Sequence, residues 1–206
     1  MLEAQNLCCS RGDRDLFSNL NFQLEPGTLL YVEGPNGSGK TTLLRAVCGL
    51  FMPTDGALLW QGQNTQTLAE EYRKELIYLG HHNGIKLDLS GLENLHIATV
   101  LDGDNITEKR LWDALGEMGL AGYEDLPTRI LSQGQKRRVA LARLLVSNAR
   151  LWILDEPFTA LDIAAVGKLQ SIIAKHVEQG GLVMLTTHQE VALTSGQVNK
   201  LQLGPT

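Results

Sequence analysis

Gly34-Pro35-Asn36-Gly37-Ser38-Gly39-Lys40-Thr41-Thr42 is a stretch whose residue types and spacing dictate chemistry. Its pattern, Gly-x-x-x-x-Gly-Lys-Thr, frees backbone N–H groups to wrap phosphate oxygens and ends on a lysine and a hydroxyl. Lys40 is expected to reach the β- and γ-phosphates of a nucleotide, and Thr41 to ligate Mg²⁺. Further on, the apolar run Leu151-Trp152-Ile153-Leu154 ends in Asp155-Glu156. On its own such a run is as well read as a strand before a turn. After a phosphate loop it reads as a metal-orienting carboxylate, Asp155, followed by a base, Glu156, that polarises an attacking water. Leu131-Ser132-Gln133-Gly134-Gln135 is a third candidate, with Ser132 a natural N-cap for the stretch Lys136–Leu145. Spacing alone makes it only a capped helix.

These residues need a scaffold that delivers them. Phe22 and Leu24 alternate with polar neighbours over Asn21–Glu25, and Pro26-Gly27 is a turn before a buried strand, Thr28–Glu33, that feeds the glycine loop. Thr41–Leu50 carries Leu43, Leu44, Val47 and Leu50 at helical spacing. Pro53–Gly56 reads as a turn and Ala57–Gln61 as a strand. Helices are expected over Glu93–Val100 and Lys109–Met118, with the polar loop Asp102–Asn105 between them. Leu151–Leu154 reads as a buried parallel strand, Ile163–Glu178 as a helix and Leu182–Thr186 as another buried strand. The expected class is α/β: a parallel-sheet core interrupted by a mostly helical insertion. We draw it as one domain over 1–206, with 1–81 and 150–206 as the nucleotide-binding core and 82–149 as the helical part.

Composition narrows the function classes. The 206 residues include 18 basic and 23 acidic side chains, a net charge of −5 that argues against nucleic-acid binding or a polybasic membrane anchor. Cys8, Cys9 and Cys48 form no disulfide framework or metal-ligand spacing, and suit small core filler in a reducing compartment. No secretory leader is visible, and the apolar runs fall short of the ~20 residues that span a bilayer. Any membrane role is therefore expected to depend on other subunits.

Leu131–Gln135 is similar to the signature sequence of ABC-type ATPases, which reads Leu-Ser-Gly-Gly-Gln in its commonest form. The resemblance implies a P-loop NTPase core with an N-terminal antiparallel β subdomain, and two ATP molecules sandwiched between two copies. Ser132, Gly134 and Gln135 of one copy would then cap the γ-phosphate held by the other's loop, as an anion at a helix N-terminus. Ala160-Leu161-Asp162 resembles the family's segment along the dimer interface. Thr186-Thr187-His188 resembles its switch, which would make His188 a catalytic sensor of γ-phosphate beside Glu156 and Lys40. Three positions depart from the family pattern. Gln133 replaces the usual glycine. Leu79-Gly80-His81-His82 stands where a glutamine usually contacts metal and water; an imidazole in its place would make turnover pH-sensitive near neutrality. Ser10-Arg11-Gly12 stands where an aromatic usually stacks on adenine, leaving Arg11, or Phe17, for that contact.

Leu16-Phe17-Ser18-x-Leu20-x-Phe22, Trp60–Gln63, Tyr78–His81, Gly84–Lys86, Leu92–His96 and Leu151–Ala160 together resemble the ATP-binding subunits of bacterial haem exporters used in cytochrome c maturation; the short stretch after Leu203 also fits. That resemblance implies a peripheral protein on the cytoplasmic face of the inner membrane, two copies docked beneath integral-membrane transporter subunits. ATP hydrolysis would drive release of a haem-loaded chaperone, with no direct haem binding here. His81, His82, His96, His176 and His188 form no haem-ligand motif. Ile85, Leu87 and Leu89 are either a docking patch for the membrane partners or side chains that pin their loop to its own core. An exporter with a lipid or drug cargo shares the same ATP motifs. DNA-repair and translational ATPases lack support, with neither a long coiled coil nor a second cassette present. A kinase or GTPase has no use for Leu131–Gln135, and no guanine-selecting Asn-Lys-x-Asp occurs.

Overall fold

The computed structural model describes residues 1–12, 14–187 and 197–204. In chain order the strands are β1 (Leu2–Arg11), β2 (Arg14–Leu24), β3 (Thr28–Glu33), β4 (Asp55–Trp60), β5 (Gln63–Asn64), β6 (Leu76–Leu79), β7 (Leu151–Asp155), β8 (Leu182–Thr186) and β9 (Gln197–Gln202). The helices are α1 (Lys40–Val47), α2 (Thr65–Leu68), α3 (Glu70–Lys74), α4 (Gly91–Asp102), α5 (Glu108–Glu117), α6 (Gln133–Ala142) and α7 (Ile163–Glu178).

β7 and β8 are buried at every residue, and β3 at all but its last. Such continuous apolar burial is what a parallel sheet covered on both faces requires. The sheet runs β6-β7-β8-β3-β9, with β7–β8, β8–β3 and β3–β9 parallel. A second, antiparallel sheet runs β2-β1-β4-β5. Helix α1 buries Leu43, Leu44 and Val47 in one core with Leu30, Ile153 and Met184, and Tyr72 closes it by donating its hydroxyl to the Val47 carbonyl at 2.8 Å. Cys9 and Cys48 are buried there, and burial pushes the Cys9 thiol up to about 11.

The described chain divides into two compact units. One comprises Met1–Tyr78, Ala149–Glu156 and Ala174–Thr206; the other comprises Leu79–Asn148 and Pro157–Ile173. In the second unit α4, α5 and α6 pack pairwise, each beginning at a hydroxyl cap: Ser90, Thr107 and Ser132. Ser90–Glu93 and Ser132–Gln135 are full capping boxes.

Four local expectations change. Helix α1 stops at Val47 and the chain turns at left-handed Gly49, so Leu50 is 63% exposed and not part of the buried stripe. Helix α6 starts at Gln133 and tightens into a 3₁₀ turn at Arg143–Leu145, which leaves Leu145 only half-buried. Strands β6 and β9 were not expected, because neither Leu76–Leu79 nor Gln197–Gln202 carries a strong alternation or turn signal.

Candidate functional site

Strand β3 delivers the chain into Gly34 and α1 takes it away at Lys40, so the loop between them lies on a helix N-terminus. Gly37 and Gly39 adopt φ of 81° and 97°, a region that side-chain-bearing residues enter only at a cost. Gly39 is the N-cap of α1 and supplies no side-chain cap, so the first N–H groups of the helix face the loop. Ser38 is buried, and its Oγ has no hydrogen-bond partner among the described residues. An orphaned hydroxyl beside uncapped N–H groups is suited to an anion with several acceptor oxygens. The Lys40 ammonium arches over the loop and donates to the carbonyls of Gly34 (2.7 Å) and Pro35 (3.1 Å), leaving the third of its donors for a phosphate oxygen.

Asp155, at the end of β7, is 2% exposed and is held from two sides. Thr41 donates its hydroxyl to Oδ2 at 2.9 Å, and Thr186, from the end of β8, donates to Oδ1 at 2.8 Å. Thr186 Oγ1 in turn accepts the N–H of Glu156 at 3.0 Å. Glu156 sits at φ 54°, an uncommon conformation for a residue with a side chain, and the Thr186 contact is one restraint that keeps it there. Thr186 therefore has a place in the site that the switch resemblance, which gave a role only to His188, did not assign. Its signal was its place at the carboxyl end of a buried strand adjacent to β7.

Two protein oxygens, from Thr41 and Asp155, meet at the loop, and the described residues hold no cluster of three or more His, Cys, Asp or Glu side chains. That donor set fits Mg²⁺, which keeps water and phosphate ligands around one or two protein oxygens. A cleft of about 240 Å³ opens over this arrangement, lined by Arg11, Leu16, Asn36, Gly37, Gly39, Lys40, Thr41, Thr42 and Glu156. Arg11 thus shares the cleft with the glycine loop. Phe17 does not line it: it is buried against Gly39, where a Cβ would stand 3.1 Å from its ring, and Leu16 is the neighbour that reaches the cleft.

In the second unit, Ser132 and Gln133 at the start of α6 are exposed. Ser132 Oγ accepts the Gln135 N–H at 3.2 Å, and Gln135 Oε1 accepts the Ser132 N–H at 2.9 Å. Gln135 is thus engaged in the cap, while the Ser132 hydroxyl proton remains available to donate outward. Gln133 occupies the first helical position without the left-handed φ that would demand glycine. Gly134 is different: a Cβ there would lie 2.8 Å from the Ala160 carbonyl oxygen. Asp162 caps α7 at the N–H of Ala165 (2.8 Å) and pairs with Arg138 of α6 at 2.6 Å.

His81 and His82 are exposed neighbours, their rings edge-to-face at 5.5 Å. The loop beyond them is built around the Asn94 amide, which accepts from Lys86 N–H (2.6 Å) and donates to the carbonyls of Lys86 (2.9 Å) and Ser90 (2.8 Å). Ile85 and Leu89 are half-buried there and Leu87 is 52% exposed. His188 lies outside the described residues. Among the described residues no helix is long and apolar enough to cross a membrane.

Residues 17–159 match the family described as ABC transporter. The chain is 54% identical to the "Cytochrome c biogenesis ATP-binding export protein CcmA" of Nitrosomonas europaea, over 98% of this chain and 95% of that protein. It is 48% identical to the protein of the same name from Escherichia coli K12, covering 100% of this chain and 98% of the relative. Among solved structures, it superposes on a dimeric bacterial ABC transporter cassette with a TM-score of 0.85 at 25% identity, covering 98% of this chain and 94% of that one.

Proposed function

The chain belongs to the ATP-binding proteins of the ABC transporter family, and from that premise we propose that it is the ATPase subunit of a haem exporter serving cytochrome c biogenesis. The observation that carries this reading is identity of about half the residues, over nearly the whole chain, with proteins named for that export role.

ATP is the substrate. The loop N–H groups from Asn36 to Thr42, the Ser38 hydroxyl and Lys40 hold its phosphates, with Gly34 and Pro35 shaping the loop, and Arg11 lies against the base. Thr41 and Asp155 hold Mg²⁺, which draws charge off the phosphate oxygens when bound. Glu156 orients a water in line with the γ-phosphorus and takes its proton. The water oxygen bonds to phosphorus as the bond to the β–γ bridging oxygen breaks, giving ADP and phosphate. In a dimer of two copies, the α6 N-terminus of the partner copy, with Ser132 and Gly134, seals the γ-phosphate, and His188 senses it. The protein sits on the cytoplasmic face of the inner membrane beneath integral-membrane subunits, and turnover releases a haem-loaded chaperone without haem touching this chain.

Two measurements test this. Glu156→Gln should retain ATP while turnover falls at least 100-fold, in line with the ~10²–10⁴ that a general base contributes, and Lys40→Ala should lose nucleotide binding. Equal loss of binding in both would contradict the roles assigned. Isolation from native membranes should bring down haem-handling membrane subunits; permease subunits of another pathway would assign the cargo to the lipid or drug class instead.

A further inference from the structure

One turn into α6 stands an arginine, Arg137, that is only 4% exposed. A guanidinium carries five N–H donors and loses its hydration on burial, so it persists inside a protein only where acceptors converge on it. Here they come from two other segments of the same unit. Nη1 donates to the Gly80 carbonyl at 2.9 Å and to Asn83 Oδ1 at 3.3 Å, and Nε donates to the Pro157 carbonyl at 3.4 Å.

The identity of those acceptors is informative. Gly80 and Asn83 flank His81-His82 on either side, and Pro157 directly follows Glu156. An apolar side chain of similar volume would fill the same space without the desolvation cost of a charge. A planar fork gripping carbonyls from separate segments does something packing cannot: it fixes their mutual orientation. We propose that Arg137 is a positioning residue for ATP cleavage, holding the His81-His82 turn and the Pro157 carbonyl in register with the helix that begins at Ser132. The inference rests on the assignment of Glu156 as the base.

The test uses the full chain with its co-purified membrane subunits, in Arg137→Lys and Arg137→Gln. Lysine keeps the charge and glutamine keeps donor capacity, but neither has the planar fork. In both, kcat should fall at least tenfold while KM for ATP moves less than twofold, and residues 33–42 should keep their ATP-dependent protection from hydrogen exchange. A kcat within twofold of wild type in either folded variant, or a parallel change in kcat and KM, overturns the proposal. Should neither variant fold, Asn83→Ala decides, because it deletes one acceptor and leaves the arginine in place. A fall in kcat of threefold or more then supports the role, and an unchanged kcat overturns it. Absence of ATP-dependent protection at residues 33–42 in the wild-type protein would overturn the ATP site itself, and this inference with it.

Discussion

Thr186 shows how much of the site depends on a single hydroxyl. It donates to one oxygen of Asp155 and accepts from the Glu156 N–H, while Thr41 serves the other oxygen of Asp155. Thr186→Val keeps the shape and deletes both hydrogen bonds. An unsatisfied buried polar group costs about 1–3 kcal/mol, so the protein should still fold, with a lowered melting midpoint. The chemical consequence should be larger. Glu156 occupies a left-handed conformation, and losing a restraint would let the proposed base drift from line with its target. Turnover is expected to fall at least tenfold in Thr186→Val and to return in Thr186→Ser. Wild-type kcat in the valine variant would show that the strand end needs no such brace.

At the scale of elements, α6 and α7 each carry a device whose sign can be worked out. In an ordinary helix Gly134→Ala would stabilise by about 1 kcal/mol through propensity. Here the new Cβ would lie 2.8 Å from a backbone oxygen of Ala160, which cannot swing away as a side-chain tip can. Overpacking of this kind costs about 1–3 kcal/mol, so repulsion should win and the melting midpoint should drop. A rise would refute the close approach. On α7, His176 stacks on Trp152 with ring centroids 3.7 Å apart and planes at 7°, and burial lowers its pKa to about 4. Between pH 6.5 and 4 the unfolded chain binds a proton that the native ring refuses. Stability contributed by the neutral stack is full above pH 6.5 and is lost as pH falls toward 4, by about 2 kcal/mol after allowing for the ring's partial exposure. The stability gap between wild type and His176→Phe should narrow as pH drops from 7 to 5; a constant gap would exclude the linkage. The same two helices show what could be read in advance. Ser132 as a cap, the span of α7 and the buried strands β7 and β8 follow from local chemistry, because caps and continuous apolar runs are local signals. The partners of Arg137, Thr186 and Gly134 do not, since each contact joins residues far apart in sequence. The packing of Phe17 against Gly39 is of the same kind, since it joins a strand of one sheet to the glycine loop.

The whole molecule distributes its proposed ATP contacts over two units, with the phosphate loop and Asp155-Glu156 in one and the α6 N-terminus in the other. Ser132 and Gln133 are exposed, and the Ser132 hydroxyl has a proton to give beyond its own cap. A solvent-facing helix start attracts anions by only ~0.3–1 kcal/mol, too little to matter in water but considerably more against a desolvated phosphate. That difference would make the second copy consequential: under the proposed function, ATP held by one chain is the anion that the other chain's helix caps, and departure of phosphate after cleavage removes the charge that joins them. Glu156→Gln with ATP should therefore double the mass seen by light scattering, and adding Ser132→Ala should weaken that dimer at least tenfold. The serine change also removes a cap worth roughly 1 kcal/mol, a loss a domain of this size tolerates, so one-chain ATP binding should persist. The two effects separate cleanly by measuring nucleotide occupancy and mass in the same sample. Occupied monomers are the expected state of the double variant. Full-rate ATP cleavage by a strict monomer, indifferent to Ser132→Ala, would mean that the chain completes its own site and that the sandwich plays no part in its chemistry.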